Sequence, residues 1–148
     1  MTPSTPTPPT PGYSGKPLAQ KLGIKPGHRV ALVGAPAGFA PALEPLPEGA
    51  RVAAGRAGGT ADVTLLFATR AADLERAFGT AARALPRGAM LWVAWPKKAA
   101  KQSTDLTEDV VRRIGLATGL VDVKVCAVSE VWSGLKWVHR ATEGEGRG

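Results

Sequence analysis

The chain has 148 residues, of which 44% are hydrophobic, and this size and composition predict one soluble globular domain with a real core. No run approaches the ~20 apolar residues of a membrane span, and a single cysteine, Cys126, excludes an internal disulfide and a cysteine-rich metal site. The net charge of +7 is compatible with an anionic partner but does not identify one, because a bias toward arginine accounts for part of it.

Both ends of the chain lack the large apolar side chains that a folded core needs. Residues 1–12 are mostly proline, threonine and serine, and such segments bury too little surface to offset their ordering entropy. We therefore expect disordered tails at residues 1–12 and 141–148, around a single domain at 13–140. The first residues also lack the apolar stretch of a signal peptide, which favours a cytoplasmic location.

The first half of the chain predicts short elements around one buried strand. A short helix is expected at 16–22, and residues 29–33 (RVALV) read as a β-branched strand. This strand ends in GAPAGF, residues 34–39, a glycine- and proline-containing junction typical of a turn. A weak second strand is expected at 51–54.

The centre of the chain predicts two buried strands with a helix between them. Residues 62–68 (DVTLLFA) form an apolar run of strand length, and apolar residues at four- and three-residue spacing predict a helix over 70–85. Residues 90–95 (MLWVAW) form the next strand, which the following Pro96 would stop.

The last third of the chain predicts a capped helix and a hairpin. Asp105, with Glu108 three residues later, fits a capping box at the start of the helix. Residues 120–128 alternate between apolar and polar, and residues 135–140 form the last strand. Only about seven residues separate these strands, too few for a crossover helix, so the two strands should pair antiparallel.

Strands and helices thus alternate along the chain until this final hairpin. Such a pattern predicts a three-layer, Rossmann-like α/β fold with a mostly parallel sheet that ends in an antiparallel β-hairpin. In order and topology it is similar to a shortened class I methyltransferase. That likeness implies acidic residues after the first two strands, but Val33 ends the first strand and Arg56 follows the second.

The candidate ligand-binding residues fall where parallel strands would end, because open α/β sheets bind ligands outside the carboxyl ends of their strands. The GAPAGF glycines would let backbone N–H groups approach a ligand, although the full G-x-G-x-x-G spacing is missing and a tight structural turn is the alternative. A tryptophan and two lysines lie at the end of the strand at 90–95, and the predicted hairpin adds a tryptophan, a serine and a lysine. Together they offer positive charge and aromatic faces to a ligand. These residues are Gly34, Pro36, Gly38, Trp95, Lys97, Lys98, Trp132, Ser133 and Lys136.

No local pattern assembles a catalytic or metal site. His28 and His139 lie at strand ends without the partners of a Ser-His-Asp triad or a zinc pair. The acids around Asp105 are explained by capping and by the helix dipole. We therefore expect no catalytic residue, no metal and no cofactor, with S-adenosylmethionine or a nucleotide as the alternative.

Several motifs resemble a family of small bacterial proteins classed as a domain of unknown function. They include WPKK at 95–98, DLTEDVVR at 105–112 and WSGLKWV at 132–138, and the likeness extends over residues 12–138. The resemblance implies no activity, substrate or catalytic residue. It marks WPKK and WSGLKWV as family signatures, in agreement with the candidate site.

The sequence predicts a non-catalytic module that binds an anionic ligand, either a nucleotide, a phosphorylated metabolite or a nucleic acid. Two alternatives stay open: a degenerate S-adenosylmethionine-dependent methyltransferase-like enzyme, and a protein–protein adaptor that docks through an exposed Trp132 loop. The main hypothesis requires the WPKK corner and the Trp132 turn to lie on one rim of the sheet. It also requires that the chain's own acids do not neutralise Lys97 and Lys98.

Overall fold

A computed structural model describes residues 17–54, 61–98 and 103–139, which form a six-stranded mixed sheet with helices on both faces. The predicted tails, the domain limits at 13 and 140, and the loop containing Arg56 lie outside these residues. The elements are α1 (Leu18–Leu22), β1 (Arg29–Val33), a 3-10 helix (Ala40–Leu43), β2 (Arg51–Ala54), β3 (Val63–Phe67), α2 (Ala71–Ala84), β4 (Met90–Pro96), α3 (Glu108–Leu116), β5 (Leu120–Ala127) and β6 (Trp132–His139).

The strand order across the sheet is β2-β1-β3-β4-β6-β5. The first four strands in this order are parallel, and β6 runs antiparallel to both β4 and β5. The predicted mostly parallel, Rossmann-like sheet with a terminal antiparallel hairpin is therefore confirmed. Because β2 lies on one side of β1 and β3 on the other, the order reverses between β1 and β3, and open α/β folds bind ligands at such a switch point.

One core layer lies between the sheet and the helices α2 and α3, on what we call the α2–α3 face. Phe78 on α2 packs edge-to-face on Trp137 of β6, with ring centroids 5.2 Å apart. The Trp137 ring fits beneath α3 because residue 115 is glycine: a Cβ there would lie 2.3 Å from the ring. A glycine in the middle of a helix is thus required here by packing.

The second core layer lies on the opposite side of the sheet, the α1 face, where α1 and the 3-10 helix cover the strands. Trp92 of β4 donates its indole N–H to the carbonyl oxygen of Leu22 at 2.9 Å, which ties the sheet to the end of α1. Gly23 ends this helix in the left-handed conformation, with φ of 83°. The short helix α1 is therefore stabilised by its tertiary contacts, since five residues are too few for a stable isolated helix.

The prediction that Asp105 caps α3 is wrong. The N-cap residue of α3 is Thr107, whose hydroxyl accepts the N–H of Val110 at 3.2 Å. Asp105 instead accepts the N–H of Ala71, the first residue of α2, at 2.7 Å. The linker before α3 folds back over the start of α2, so the cap of α2 comes from a distant part of the chain.

The strict alternation predicted for β5 is interrupted. Its register with β6 shifts between Asp122 and Lys124, which leaves Val123 as an extra residue in a β-bulge. Asp122 is paired with Trp137 and Lys124 with Lys136. Because these two β6 neighbours point to opposite sides of the sheet, Asp122 lies on the α2–α3 face and Lys124 on the α1 face.

Candidate functional site

The candidate site is the edge of the sheet at which β1, β3 and β4 end, which we call the rim. Pro96, the last residue of β4, is paired with Trp132, the first residue of β6. The backbone N–H of Lys97 donates to the carbonyl oxygen of Val131 at 2.7 Å. The WPKK corner and the Trp132 turn therefore lie side by side on one rim, as the binding hypothesis requires.

The two tryptophans of this rim are buried and face opposite sides of the sheet. Trp95, paired with Ser133, belongs to the core of the α2–α3 face. Trp132 belongs to the α1 face and is only 9% exposed, so the prediction that it is exposed is wrong. Its ring packs edge-to-face on Phe67 at 5.0 Å, and Phe67 packs on Phe39 at 4.8 Å. Both tryptophans thus support the rim from within the core.

The lysines of the candidate site differ in position and exposure. Lys97 is half-buried and Lys98 is exposed. Neither ammonium group pairs with a carboxylate among the residues of the described segments. Lys136 lies further along β6, opposite Trp92, and is therefore set back from the rim.

The turn after β1, residues 34–39, lines a cavity of about 360 Å³. The three predicted positions in this turn, Gly34, Pro36 and Gly38, all contribute to the lining. Gly34 has a φ of 71°, and a Cβ there would lie 2.8 Å from the carbonyl oxygen of Phe67, so this glycine lets the turn pack against β3. Gly38 has a φ of 79°, and a Cβ there would meet open space.

The side chains that line this cavity determine which contacts a nucleoside-like ligand could make there. Its lining consists of Leu32 and residues 34–41, which are glycine, alanine, proline and phenylalanine and include no Asp or Glu. The lining therefore fits a ligand held by apolar contact and by main-chain groups, and it does not fit a carboxylate clamp on two ribose hydroxyls. The volume lies within the range of small-molecule sites.

Sequence analysis missed a group of hydrogen bonds beside the rim, which we call the clamp. The clamp joins residues 103–105 to residues 69–71, the junction between β3 and α2. Its bonds run from Thr104 Oγ1 to the Thr69 carbonyl oxygen (2.6 Å), from Arg70 Nη2 to Ser103 Oγ (2.9 Å) and from the Ala71 N–H to Asp105 Oδ1 (2.7 Å). The short polar run at 103–105 was the visible signal, but its partners lie 33 to 35 residues away.

The histidines and the cysteine have structural surroundings. His28 Nδ1 accepts a backbone N–H at 3.0 Å, and His139 Nε2 lies 2.6 Å from a backbone carbonyl oxygen. Burial raises the pKa of the Cys126 thiol, and the positive charges of Lys21 and Lys124 only partly oppose that shift. Within the part of the chain that the structure describes, no three His, Cys, Asp or Glu residues are grouped so as to hold a metal ion. In the same part, no helix is long and apolar enough to cross a bilayer.

Comparison by sequence finds no relative. No family model matches the chain, so the resemblance to a bacterial family of unknown function is not confirmed. No curated protein matches either.

Comparison by structure finds solved proteins of similar fold, several of which are methyltransferases by name. The fibrillarin pre-rRNA processing protein of Methanococcus jannaschii is 14% identical with a TM-score of 0.59, over 84% of this chain and 74% of that one. The O-methyltransferase family 2 protein of Planctomyces limnophilus is 13% identical with a TM-score of 0.64, over 84% and 56%. CalO1, a methyltransferase of calicheamicin biosynthesis, is 18% identical with a TM-score of 0.60, over 84% and 52%. The chain thus spans about half the length of the last two, and it shares the methyltransferase-like Rossmann fold.

The structural comparison contradicts one prediction and leaves a second without support. The prediction of no cofactor is wrong, because solved proteins that share this fold include CalO1 in an SAH-bound form. The prediction of a non-catalytic binding module gains no support from them either. The methyltransferase-like alternative agrees better with these structures.

Proposed function

We propose that this chain, which shares the Rossmann-like fold of class I methyltransferases, is a methyltransferase-like protein that binds S-adenosylmethionine at the rim. The observation that carries the proposal is the cavity of about 360 Å³ directly after β1, in a fold that SAH-bound methyltransferases share. The cavity adjoins the switch point between β1 and β3, where open α/β sheets take their ligands. S-Adenosylmethionine would supply an electrophilic methyl group there.

Main-chain groups of the turn at 34–38 would hold the cofactor. Gly38 leaves open space where other residues carry a Cβ, which allows close approach of a ligand to the backbone. Leu32 and Phe39 supply an apolar wall. Because no carboxylate lines the cavity, we expect weaker binding than in a site that also bonds both ribose hydroxyls, since each charged hydrogen bond is worth about 1.5–3 kcal/mol.

The lysines of the rim support an anionic methyl acceptor. Lys97 and Lys98 follow β4 directly, and within the described segments neither forms an ion pair. Ammonium groups bind phosphate as point charges, so the acceptor classes we propose are a nucleotide, a phosphorylated metabolite or a nucleic acid. The adaptor alternative loses its basis because Trp132 is buried. A bacterial origin and a cytoplasmic location remain predictions.

Isothermal titration calorimetry with S-adenosylmethionine and SAH tests the proposal. We expect both compounds to bind the folded chain and to raise its Tm at saturating concentration, because a ligand that binds only the native state stabilises it. Ala37→Trp places a large ring in the exposed lining of the cavity and should abolish binding.

Ala117→Trp is the matched control for this experiment. It makes the same change at the exposed end of α3, at the opposite edge of the sheet, and should leave binding unchanged. The proposal is overturned if the folded parent protein shows neither binding heat nor a shift in Tm with either compound.

A further inference from the structure

A second group of positive charges lies away from the rim, on the α1 face of the β5–β6 hairpin. Lys124 and Lys136 are directly opposite each other in the register of the two strands, and residues paired in this way project from the same side of a sheet. Lys124 is exposed and Lys136 is half-buried. Like charges at directly opposed positions repel, so this pair costs stability that a bound anion would restore.

Lys21 of α1 adds a third charge to this surface. Its Nζ donates to the carbonyl oxygen of Ala127 at 3.0 Å, which places the ammonium group at the end of β5. Burial raises the pKa of the Cys126 thiol, and the charges of both Lys21 and Lys124 lower it. Because α1 packs on the α1 face and Lys124 projects from that same face, Lys21 and Lys124 lie on the same side of the hairpin.

Of the two acids in the hairpin, Glu130 is exposed in the turn and Asp122 does not neutralise this surface. Because of the bulge in β5, Asp122 lies on the α2–α3 face, where it accepts a hydrogen bond from Arg112 Nε at 2.9 Å. That bond lowers the pKa of the Asp122 carboxyl group, and the negative charge of Asp122 is paired with Arg112. Lys124 and Lys136 form no ion pair with any acid in the described ranges.

The turn between β5 and β6 connects the rim to the surface that carries Lys21, Lys124 and Lys136. Lys97 is bonded through its backbone to Val131 in the turn between β5 and β6, and Ala127, which Lys21 contacts, lies just before that turn. An exposed acid, Glu130, lies in this turn between the rim lysines and the hairpin lysines. We therefore define the lysine band as the three lysines of the α1 face, Lys21, Lys124 and Lys136.

We propose that the lysine band binds the phosphate backbone of a nucleic acid. A row of ammonium groups matches a row of phosphates. The tryptophans Trp92, Trp95, Trp132 and Trp137 are all buried, so the contacts would be to the backbone and independent of base sequence. That the band guides the strand toward the methyl donor rests on the proposed function, whereas binding itself does not.

A membrane surface fits the lysine band less well. Binding to a bilayer surface needs apolar side chains on the same face as the basic ones. Of the three exposed large apolar residues in the described segments, Leu116 on α3 and Val125 opposite Leu135 lie on the α2–α3 face, and only the bulge residue Val123 adjoins Lys124.

Fluorescence anisotropy with a labelled single-stranded RNA of about 20 nucleotides tests the lysine band. We expect the double variant Lys124→Gln with Lys136→Gln to bind at least about ten-fold more weakly, and to lose about 1.4 from the slope of log K against log salt, or about 0.7 for each lost phosphate contact. The thermal stability of the variant should equal or exceed that of the parent, because a like-charge pair is removed.

The control is Arg83→Gln with Arg113→Gln, which removes the same net charge from exposed positions of α2 and α3. We expect it to retain affinity for the RNA. Equal weakening in both double variants would show that net charge alone drives binding, and this would overturn the inference. So would the absence of RNA binding by the folded parent, or binding only to vesicles containing phosphatidylserine.

Calorimetry with S-adenosylmethionine on the same variants separates the two proposals. If the parent protein binds S-adenosylmethionine but no RNA, the inference about the lysine band is overturned and the proposed function is not. RNA binding that depends on Lys124 and Lys136, in a protein that binds no cofactor, supports the lysine band and overturns only the proposed function.

Discussion

At the scale of single residues, the two glycines within helices are present for different reasons. A Cβ at Gly115 of α3 would lie 2.3 Å from the Trp137 ring, whereas a Cβ at Gly79 of α2 would meet only the flexible end of Arg83, at 3.4 Å. The indole N–H of Trp137 is also buried without a hydrogen-bond partner. The position of this ring therefore depends on close packing against a residue with no side chain.

Alanine substitution at the two glycines should shift stability in opposite directions. Gly115→Ala forces the Trp137 ring to move and should lower the free energy of unfolding by about 1–3 kcal/mol, the usual cost of overpacking. Gly79→Ala should raise it by up to about 1 kcal/mol, because alanine favours the helix and the space is open. Urea unfolding followed by circular dichroism measures both changes. Equal changes in the free energy of unfolding for the two substitutions would show that packing against Trp137 does not require glycine at position 115.

At the scale of elements, hydrophobic spacing predicted the helices correctly but not the contacts at their ends. The stripe that places Leu74 and Phe78 on one side of α2 is local, and both residues are buried as that spacing requires. The cap of α2 is Asp105, which lies 34 residues from its partner Ala71. No local pattern identifies that pair, because Asp105 also stands where a cap for α3 is expected.

Asp105→Ala should therefore loosen α2 and leave α3 intact. Loss of an N-cap usually costs about 1 kcal/mol, and we expect that decrease in the free energy of unfolding. In hydrogen exchange, the amide of Ala71 should lose protection while that of Val110, capped by Thr107, keeps it.

Asp109→Ala is the matched control for this substitution. Its carboxylate is 98% exposed and lies 3.9 Å from Arg112, and such exposed ion pairs contribute little. Faster exchange at Val110 than at Ala71 in the Asp105 variant would contradict the assignment of the cap.

At the scale of the whole molecule, one sheet carries two core layers, and each layer contains two of the four tryptophans. Trp95 and Trp137 lie in the layer of the α2–α3 face, and Trp92 and Trp132 lie in the layer of the α1 face. Because the same strands supply both layers, we expect the two faces to unfold together.

Paired Trp→Phe variants report on each face separately. Replacing Trp92 and Trp132 leaves fluorescence from the α2–α3 face, and replacing Trp95 and Trp137 leaves fluorescence from the α1 face. In each variant the midpoint of urea unfolding by fluorescence should equal the midpoint by far-UV circular dichroism, as in a two-state transition. Separate midpoints in either variant would show that one face unfolds before the other.

The amino-acid sequence alone determined which segments form the helices and strands, although the last strand begins at Trp132 and not at the predicted residue 135. Residues 62–68 and 90–95 are apolar runs whose strand character depends on near neighbours, and the short connection after β5 required an antiparallel hairpin. These features follow from local spacing, which a single sequence contains.

Only the tertiary structure decided which side chains are covered and which charges meet. Trp132 is buried because Phe67 of another strand packs against it, and Lys124 faces Lys136 because a bulge at Val123 shifts the register. Each outcome depends on contacts between segments far apart in the chain. Burial and strand register are set by such contacts, so the spacing of residues along one strand does not determine them.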